Sequence, residues 1–375
     1  MMRVYLLGYF HSGAFADDLI ELATCRLLQQ TGISPLAVLD KKTNPHPASG
    51  PEVAEFFNRE ADLVLFCGGS LLGRLRLAPF HRIETWIDKL QVPLVVLGTG
   101  WREEARPLTP EEVDRMRLLV DHAAAIYVRG KHTVERMAAH GLPVDRVIPL
   151  GDPGLTYTGN GIPTRRDQYR VGVVCRQMAD VEIAQDPSTL GNDAWHARLA
   201  TLLAHIVETE GAKPVFFPMS TLHRTHDNDW TATARVFNRL NLPESPYIYN
   251  ECLKGDSPGA PFHAPGILAT ILGTMDFVIS QRLHGSLVSI AHGVPVLVIE
   301  YQFGKMADSL SIDGFEELRR LITPQAEVSV AAYEAKRASL VELAPHNRRV
   351  CERVRAEYVR ALSSLAGEVI GAKKN

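Results

Sequence analysis

The chain has 375 residues, of which 46% are hydrophobic and 22% are charged, a composition typical of a globular protein with about two domains. Its 40 Lys and Arg residues nearly balance its 43 Asp and Glu residues, and the net charge of -3 argues against a protein built mainly to neutralise nucleic-acid phosphates. No apolar run approaches the roughly 18–20 residues of a membrane span, and the five scattered cysteines form no Cys-x-x-Cys pair, which favours reduced thiols in a cytoplasmic protein.

Short apolar runs alternate with longer amphipathic segments over the first 160 residues. Runs that are apolar throughout are typical of strands in a parallel sheet that helices cover on both faces. The sequence predicts strands at Arg3–Gly8, Leu36–Leu39, Asp62–Cys67, Pro93–Gly98, Ala124–Val128 and Val147–Leu150. Helices are predicted between them at Asp17–Thr31, Pro51–Arg59, Pro79–Leu90 and Thr109–His122.

A segment rich in Gly, Pro and charge, Thr156–Gln168, interrupts the alternation like a linker, after which the alternation restarts. Strands are predicted at Tyr169–Cys175, Pro214–Pro218, Tyr247–Tyr249, Asp276–Ser280 and Pro295–Tyr301. Helices are predicted at Ala194–Glu210, Asp229–Leu240, Gly266–Gly273, from about His284, and at Val330–Leu365. We therefore expect an α/β protein with two doubly wound Rossmann-like domains, residues 1–160 and 168–345, that face a cleft. Residues 346–375 form a C-terminal helix and tail, and ligands are expected beyond the carboxyl ends of the strands.

Three glycine-rich turns follow predicted strands of the first domain. Glycine lets the backbone approach a ligand closely, although it is also the usual residue of a tight turn. The candidate cleft-lining residues are Gly13, Gly68, Gly69, Ser70, Gly98 and Gly100. None of these turns completes the dinucleotide fingerprint, a Walker A loop or a nucleophile elbow. Nicotinamide enzymes, P-loop enzymes and α/β-hydrolases are therefore disfavoured.

The segment Asp276–Lys305 reads as strand, turn, helix and strand, and it places Arg282 and His284 where a strand ends and a helix starts. A guanidinium can bind a phosphate or carboxylate through two hydrogen bonds, and an imidazole can donate to the same anion or pass a proton. Lys305 follows the next strand, and Arg176 ends the first strand of the second domain. The alternative interpretation of Arg282 and His284 is an arginine that satisfies buried carbonyls and a core histidine, and that of Arg176 is a surface ion pair.

Landmarks along the chain resemble those of the polysaccharide pyruvyl transferase family, from about Val4 to Ser309. The most specific is Ile279–His284 followed by Gly293–Pro295, which is similar to the family's Ile-Ser-x-Arg-Leu-His segment with its closing Gly-x-Pro. The weaker landmarks occur in the family's order, at Gly13–Asp17, Cys67–Leu71, Gly98–Gly100, Arg129–Thr133 and Asp152–Pro153.

The resemblance implies a fold like that of the GT-B glycosyltransferases and a transferase that moves pyruvate from phosphoenolpyruvate onto a sugar as a ketal. Arg282 and His284 match positions associated with the charged groups of the donor, with Lys305 and Arg176 as helpers. His284 is a candidate proton donor, and Asp17 is the candidate acceptor-side base, although an acid at a helix start is more often stabilised by the dipole alone.

The implied acceptor is a sugar or a lipid-linked oligosaccharide, and a peripheral position at the inner membrane face and an oligomeric state are open. Phosphoenolpyruvate would be a co-substrate, with no cofactor and no metal. A metal is not expected at His223–Asp229, because two His three residues apart lack a further His or Cys ligand nearby. A loop followed by an Asp helix cap is the better interpretation of that segment.

The departures from the family pattern lie in the first domain, where the acceptor side is expected. Ala14, Ala16, Cys67 and Gly130 replace the family's Asn, Gly, Gly and Asp. Two alternatives therefore stay open. One is a GT-B glycosyltransferase that uses a nucleotide sugar, for which Glu300 is the one obvious candidate to bind a ribose. The other is a non-catalytic relative that binds an anion or glycan.

Overall fold

The computed structural model describes residues 2–10, 15–32, 36–39, 45–75, 77–101, 107–159, 168–185, 189–220, 228–240, 247–248, 265–300 and 304–372. The chain divides into two compact units by its contacts. The first unit takes Met1–His11, Ile20–Thr156 and Arg353–Asn375, and the second takes Ser12–Leu19 and Tyr157–Glu352. The sequence predicts a domain boundary within residues 160–168. By its contacts, the chain passes from the first unit to the second after Thr156. In addition, residues 12–19 belong to the second unit and residues 353–375 to the first.

The described part of the first unit contains one parallel sheet of six strands in the order β2-β1-β3-β4-β5-β6. Its strands are β1 (Met2–Leu7), β2 (Leu36–Leu39), β3 (Leu63–Cys67), β4 (Leu94–Thr99), β5 (Ala125–Val128) and β6 (Val147–Pro149). Its helices are α1 (Phe15–Gln30), whose residues 15–19 count to the second unit, α2 (Glu52–Glu60), α3 (Pro110–His122) and α4 (Lys131–Ala139). The apolar strands are buried because helices cover both faces of a parallel sheet, as the sequence predicts.

The second unit also has one parallel sheet of six described strands, in the order β12-β11-β10-β7-β8-β9. Its strands are β7 (Arg170–Val174), β8 (Lys213–Phe216), β9 (Tyr247–Ile248), β10 (Phe277–Ser280), β11 (Val296–Glu300) and β12 (Thr323–Pro324). Its helices are α5 (Asp180–Gln185), α6 (Asn192–Glu210), α7 (Asp229–Leu240), α8 (Pro265–Leu272), α9 (Leu283–His292), α10 (Lys305–Ser309), α11 (Glu316–Arg320) and α12 (Val330–Ala372), whose residues from 353 onward count to the first unit. This strand order is that of a dinucleotide-binding Rossmann sheet. The strands before β10 are added to one side of β7 and the later strands to the other side, so the strand order reverses between β7 and β10.

The prediction of one helix over Pro79–Leu90 is wrong. The structure instead has two 3-10 segments, Phe80–Thr85 and Ile87–Lys89, with non-helical backbone at Arg82. Phe80, Ile83 and Trp86 are buried and lie three residues apart, which is the repeat of a 3-10 helix. The apolar spacing that predicts an α-helix here is therefore also compatible with a 3-10 helix, which is wound more tightly.

The helix α3 begins with a capping box. The Thr109 hydroxyl accepts a hydrogen bond from the Glu112 backbone N–H at 3.3 Å, and the Glu112 carboxylate accepts one from the Thr109 N–H at 2.8 Å. Four helices were not predicted from the sequence, namely α4, α5, α10 and α11, and β12 was also missed. All but α4 have six residues or fewer, too few for a hydrophobic period to be read.

Candidate active site

Two of the cationic residues singled out in the sequence, Arg176 and Arg282, follow the two strands between which the second sheet reverses its strand order. Val174 at the end of β7 pairs with Ser280 at the end of β10. Arg176 follows the first of these strands by two residues, and Arg282 follows the second by two. In open α/β sheets, ligands bind beyond the carboxyl ends of the strands at such a reversal. Topology therefore places both guanidinium-bearing residues where this fold class binds ligands.

A buried carboxylate holds Arg282 in place. The Arg282 Nε lies 3.2 Å from both oxygens of Asp229, and its Nη2 donates to Oδ1 at 2.5 Å. Asp229 has no exposed side-chain surface, whereas 17% of the Arg282 side chain is exposed. Oδ2 of Asp229 also accepts hydrogen bonds from the backbone N–H groups of Met219 and Ser220, at 2.9 and 3.0 Å. The guanidinium is thus oriented by a carboxylate that the backbone itself fixes.

Of the two aspartates in His223–Asp229 that fit the predicted helix cap, Asp229 does not cap its helix, and Asp227 lies outside the described residues. Although α7 begins at this residue, the carboxylate binds the Met219 and Ser220 amides and Arg282, while the Asn228 side chain accepts from the Trp230 N–H at 3.0 Å. Sequence analysis therefore missed the role of Asp229. The available signal was an acid that follows a strand and a short connection, at the same sheet edge as Arg282.

Gln281 joins the two strand ends that carry the arginines. Its Oε1 accepts hydrogen bonds from the Arg176 backbone N–H at 3.0 Å and from the Trp195 indole at 2.9 Å. Its backbone N–H donates to the Val174 carbonyl at 2.8 Å, extending the strand pairing by one residue. Gln281 and Trp195 are fully buried. This frame fixes the backbone beneath Arg176 and Arg282 independently of their side chains.

His284 lies in the first turn of α9 and is 5% exposed. The helix follows its strand closely because the next residue is Gly285, where a Cβ would lie 2.7 Å from the Ser280 hydroxyl and 3.1 Å from Val174. The Ser280 hydroxyl donates to the Arg282 carbonyl at 2.8 Å, which closes the turn between β10 and α9. The Arg-Leu-His segment is therefore held from both sides, and α9 ends at Gly293 with φ of 72°.

Lys305 is half-buried and begins α10, beyond β11, which neighbours β10 in the sheet. Glu300, at the end of β11, accepts hydrogen bonds from the backbone N–H groups of Met306 and Ala307 at 2.9 and 3.0 Å. The Glu300 carboxylate therefore caps α10, which supports its structural interpretation rather than binding of a ribose. Lys305 follows β11 and therefore lies at the same edge of the sheet as Arg282.

The first turn of α1 belongs to the same unit as these cations. The Phe15 backbone N–H donates to the Met219 carbonyl at 3.0 Å, and the Met219 N–H in turn binds Asp229. Asp17 is half-buried in this turn. The sequence predicts Asp17 in the first domain, on the acceptor side, but contacts place residues 15–19 in the second unit. This placement follows from the hydrogen bond at Met219, which no sequence pattern indicates.

The first-unit landmarks form one buried network. The Arg129 Nε lies 2.8 Å from Asp152 Oδ2, and the side chains are 1% and 0% exposed. Arg129 Nη1 also donates to the Ser70 hydroxyl at 3.1 Å, and its backbone N–H donates to the Thr99 carbonyl at 2.9 Å. Thr133, the last residue of the Arg129 landmark, accepts from the Trp101 N–H at 3.0 Å. Four of the family landmarks, those that contain Ser70, Thr99, Arg129 and Asp152, are therefore joined by hydrogen bonds or an ion pair.

The glycines of the first unit have identifiable packing reasons. Gly98 has φ of +63°, and a Cβ on it would lie 2.3 Å from the Pro153 ring and 2.7 Å from the Tyr358 hydroxyl. Gly68 also has φ of +63°, and a Cβ there would lie 2.4 Å from Ile20. The remaining predicted lining residues are Gly69, with φ of +65°, and Ser70 and Gly100, which join the same turns, while Gly13 lies outside the described residues. The structure thus supports the tight-turn interpretation of Gly68 and Gly98.

Burial dominates the electrostatics of the candidate site. It raises the pKa of Asp229, and the adjacent Arg282 and the nearby Arg176 oppose that rise. Burial also raises the pKa of the Cys175 thiol to about 12, so this cysteine is not a nucleophile at neutral pH. It lowers the pKa of His196 to about 4, which leaves that imidazole uncharged. Cys175 and His196 are therefore uncharged at neutral pH, whereas Asp229, Arg176 and Arg282 are charged groups that interact with one another.

The described residues lack a metal-binding cluster and a membrane-spanning helix. They contain no group of three or more His, Cys, Asp or Glu side chains placed to hold a metal ion. None of their helices combines the length and apolar character needed to cross a bilayer. Most of the His223–Asp229 segment lies outside the described residues, so its predicted lack of a metal stays a prediction.

The sequence model of the family described as polysaccharide pyruvyl transferase matches residues 17–302. Among curated protein sequences, none matches this chain. A Listeria monocytogenes protein assigned as a UDP-N-acetylglucosamine 2-epimerase aligns with a TM-score of 0.55 at 15% identity, over 98% of this chain and 97% of its own. Neisseria meningitidis UDP-GlcNAc 2-epimerase, bound to UDP-GlcNAc, gives 0.53 at 11% identity over 100% of both chains.

Anabaena HepE in complex with UDP and glucose aligns with a TM-score of 0.51 at 13% identity, over 99% of this chain and 100% of its own. At such identities the likeness shows the fold alone. It confirms the predicted α/β architecture with two parallel Rossmann-like sheets of GT-B type.

Proposed function

The chain belongs to the polysaccharide pyruvyl transferase family, and we propose that it transfers pyruvate from phosphoenolpyruvate to a sugar of a polysaccharide or glycan precursor, forming a ketal and releasing phosphate. The observation that carries this proposal is the placement of Arg176, Arg282 and His284 beyond the paired ends of β7 and β10, where the second sheet reverses its strand order. Phosphoenolpyruvate carries a phosphate and a carboxylate on a three-carbon enol, so its site needs several cationic donors close together.

In the proposed reaction, a proton adds to the methylene carbon of the donor and leaves an oxocarbenium-like centre at the adjacent carbon. One sugar hydroxyl attacks that carbon, the carbon–oxygen bond to phosphate breaks, and a second hydroxyl closes the ring. The two hydroxyl protons balance the proton gained by the methyl group and the one gained by the departing phosphate. Arg282 and Arg176 stabilise the phosphate as its charge develops, with Lys305 as a helper.

His284 is the proposed proton donor or phosphate ligand, because it lies two residues after Arg282 in a largely buried position. Asp17 is the proposed base for the acceptor hydroxyl. Its support is the hydrogen bond between Phe15 and Met219, which ties the first turn of α1 to the backbone that fixes Asp229.

The test is phosphate release from phosphoenolpyruvate in the presence of a panel of sugar acceptors, for the intact protein and for Arg282→Ala. We expect acceptor-dependent release that falls at least about 100-fold in the variant, because a guanidinium that meets developing charge contributes about 3 kcal/mol or more. Arg348→Ala is the matched control, since that arginine forms an exposed ion pair with Glu352 on α12.

Release that persists unchanged in Arg282→Ala would contradict the placement of the donor. If the intact protein releases no phosphate and calorimetry detects no donor binding, pyruvyl transfer itself is wrong. A calorimetric arm with UDP-glucose tests the glycosyltransferase alternative, and binding of that nucleotide sugar in place of the donor would favour it. Donor binding without release under any acceptor would favour the non-catalytic alternative.

A further inference from the structure

We propose that Asp229 is a positioning residue for donor binding, acting through the Arg282 guanidinium; this rests on the proposed function of the site. The first observation is the geometry of the pair. Asp229 engages the edge of the guanidinium formed by Nε and Nη2, which fixes both the plane and the direction of the group. An arginine on a flexible side chain would otherwise have to be ordered by the donor itself.

The second observation is that Asp229 is fixed more firmly than the residue it orients. Its carboxylate is fully buried and accepts two backbone hydrogen bonds from consecutive residues, Met219 and Ser220, while its own N–H donates to the Ser220 carbonyl at 3.0 Å. These bonds anchor the carboxylate to the chain beyond β8, the strand next to β7 in the sheet. The position of Arg282 is thus fixed relative to the backbone that follows β8.

The third observation is the asymmetry of exposure. The Arg282 side chain keeps 17% of its surface exposed, so its guanidinium can reach an external anion, whereas the Asp229 carboxylate has no exposed surface and can act only through its partners. Asp229 also lies close enough to Arg176 for that guanidinium to favour its charged form. One buried carboxylate therefore influences both of the arginines proposed to receive the donor's anionic groups.

The same carboxylate orders the start of α1. The Met219 N–H binds Asp229, and the Met219 carbonyl receives the Phe15 N–H, so one residue links the donor cation to the turn that carries Asp17. Loss of the Asp229 charge is therefore expected to act first on donor binding. Any change in acceptor kinetics should be smaller, because it passes through one further backbone hydrogen bond.

The experiment compares Asp229→Asn with the intact protein and with Asp276→Asn. Asparagine keeps an oxygen that can accept from the Met219 and Ser220 amides but removes the charge that holds Arg282. Asp276 is the matched control because its carboxylate also accepts a backbone N–H, from Arg170 at 2.8 Å, beside the amino end of β10. We expect the donor KM to rise at least tenfold in Asp229→Asn, because a small misplacement of a functional group can cost roughly 100-fold. The acceptor KM of this variant should change less than twofold. Both KM values of Asp276→Asn should also change less than twofold.

A double-mutant cycle separates positioning from a general structural role. If Asp229 acts through Arg282, the Asn substitution should change donor affinity by less than about twofold in the Arg282→Ala background, since the group it orients is absent. Additive effects in the cycle would overturn the proposal. So would a donor KM for Asp229→Asn equal to that of the intact protein.

A readout without donor distinguishes failure of this proposal from failure of the proposed function. In protein labelled with 15N-arginine, the Arg282 Nε–H signal, assigned through Arg282→Lys, should be protected from exchange in the intact protein and lost in Asp229→Asn. Calorimetry of phosphoenolpyruvate with the intact protein tests the function by itself. An unchanged Arg282 signal in Asp229→Asn would overturn the positioning role whether or not the donor binds.

Discussion

Each unit contains an arginine–aspartate pair beyond the carboxyl ends of its parallel strands, and the two pairs differ in exposure. In the first unit, Arg129 and Asp152 are 1% and 0% exposed and bind each other, with the Ser70 hydroxyl on Arg129 and the Gly154 backbone N–H on Asp152. In the second unit, Asp229 is equally buried, but 17% of the Arg282 side chain is exposed. The same residue types at equivalent sheet edges thus serve two purposes, a closed internal network and a cation presented at a surface.

The difference teaches how to interpret a motif that occurs at a strand end. The first-unit landmarks meet one another: Ser70, Thr99 and Asp152 all bind Arg129, and Pro153 packs over Gly98. Their spacing along the chain therefore follows from internal packing. In the second unit, by contrast, Asp229 is anchored by the backbone and leaves Arg282 oriented at the edge. The pairs predict opposite outcomes when they are broken.

The largest expected effect is on stability, from Asp152→Asn. The substitution keeps an acceptor for the Gly154 N–H, at 2.7 Å from Oδ1, but leaves the buried Arg129 guanidinium without its countercharge. Removing one partner of a buried pair costs about 3–5 kcal/mol. We expect this loss in the free energy of unfolding of the first unit, measured by denaturant titration and by hydrogen exchange at β4 and β5.

The control for that loss is the double variant Arg129→Met/Asp152→Leu, which removes both charges. Apolar replacement of a buried pair is often close to neutral, so the double variant should be more stable than Asp152→Asn. The reverse order would show that the pair itself, rather than the orphaned charge, carries the stability. In either variant, donor affinity measured on folded protein should match that of the intact protein, in contrast to Arg282→Ala.

Sequence analysis identified the architecture and the second-unit cations because both depend on local pattern. Continuous apolar runs predict a buried parallel sheet, and the strand, turn and helix around Arg282 are short-range features. It missed Asp229, Gln281 and the placement of α1's first turn, because these depend on hydrogen bonds between residues 53 to more than 200 positions apart. It also separated Arg129 from Asp152, which are partners across 23 residues of sequence. Long-range pairing has no signature in a single sequence.

A smaller effect is expected from Tyr358→Phe. The Tyr358 hydroxyl is buried and donates to the Gly151 carbonyl at 2.6 Å. Burial, together with the charge of the neighbouring Asp152, raises the pKa of the phenol. Phenylalanine would keep the ring and leave the carbonyl unpaired, at a cost of about 1–2 kcal/mol. The measurement is the unfolding midpoint in urea. A loss of donor affinity in the folded variant, without a change in midpoint, would contradict the structural interpretation of this network.

The smallest effect tests a departure from the family pattern. Gly130 stands where the family has Asp, and the structure places it at the N-cap of α4 with φ of -161°, an extended backbone that any residue adopts. The glycine makes no side-chain cap, so Gly130→Asp should add a hydrogen bond to the first turn and a charge favoured by the helix dipole, together roughly 0.3–1 kcal/mol of stability. Because this position is the N-cap of α4, an Asp here is expected to act as a helix cap rather than as a catalytic acid. A gain in acceptor-dependent phosphate release that exceeds the gain in folded protein would favour the catalytic interpretation, whereas higher stability at unchanged kcat supports the cap.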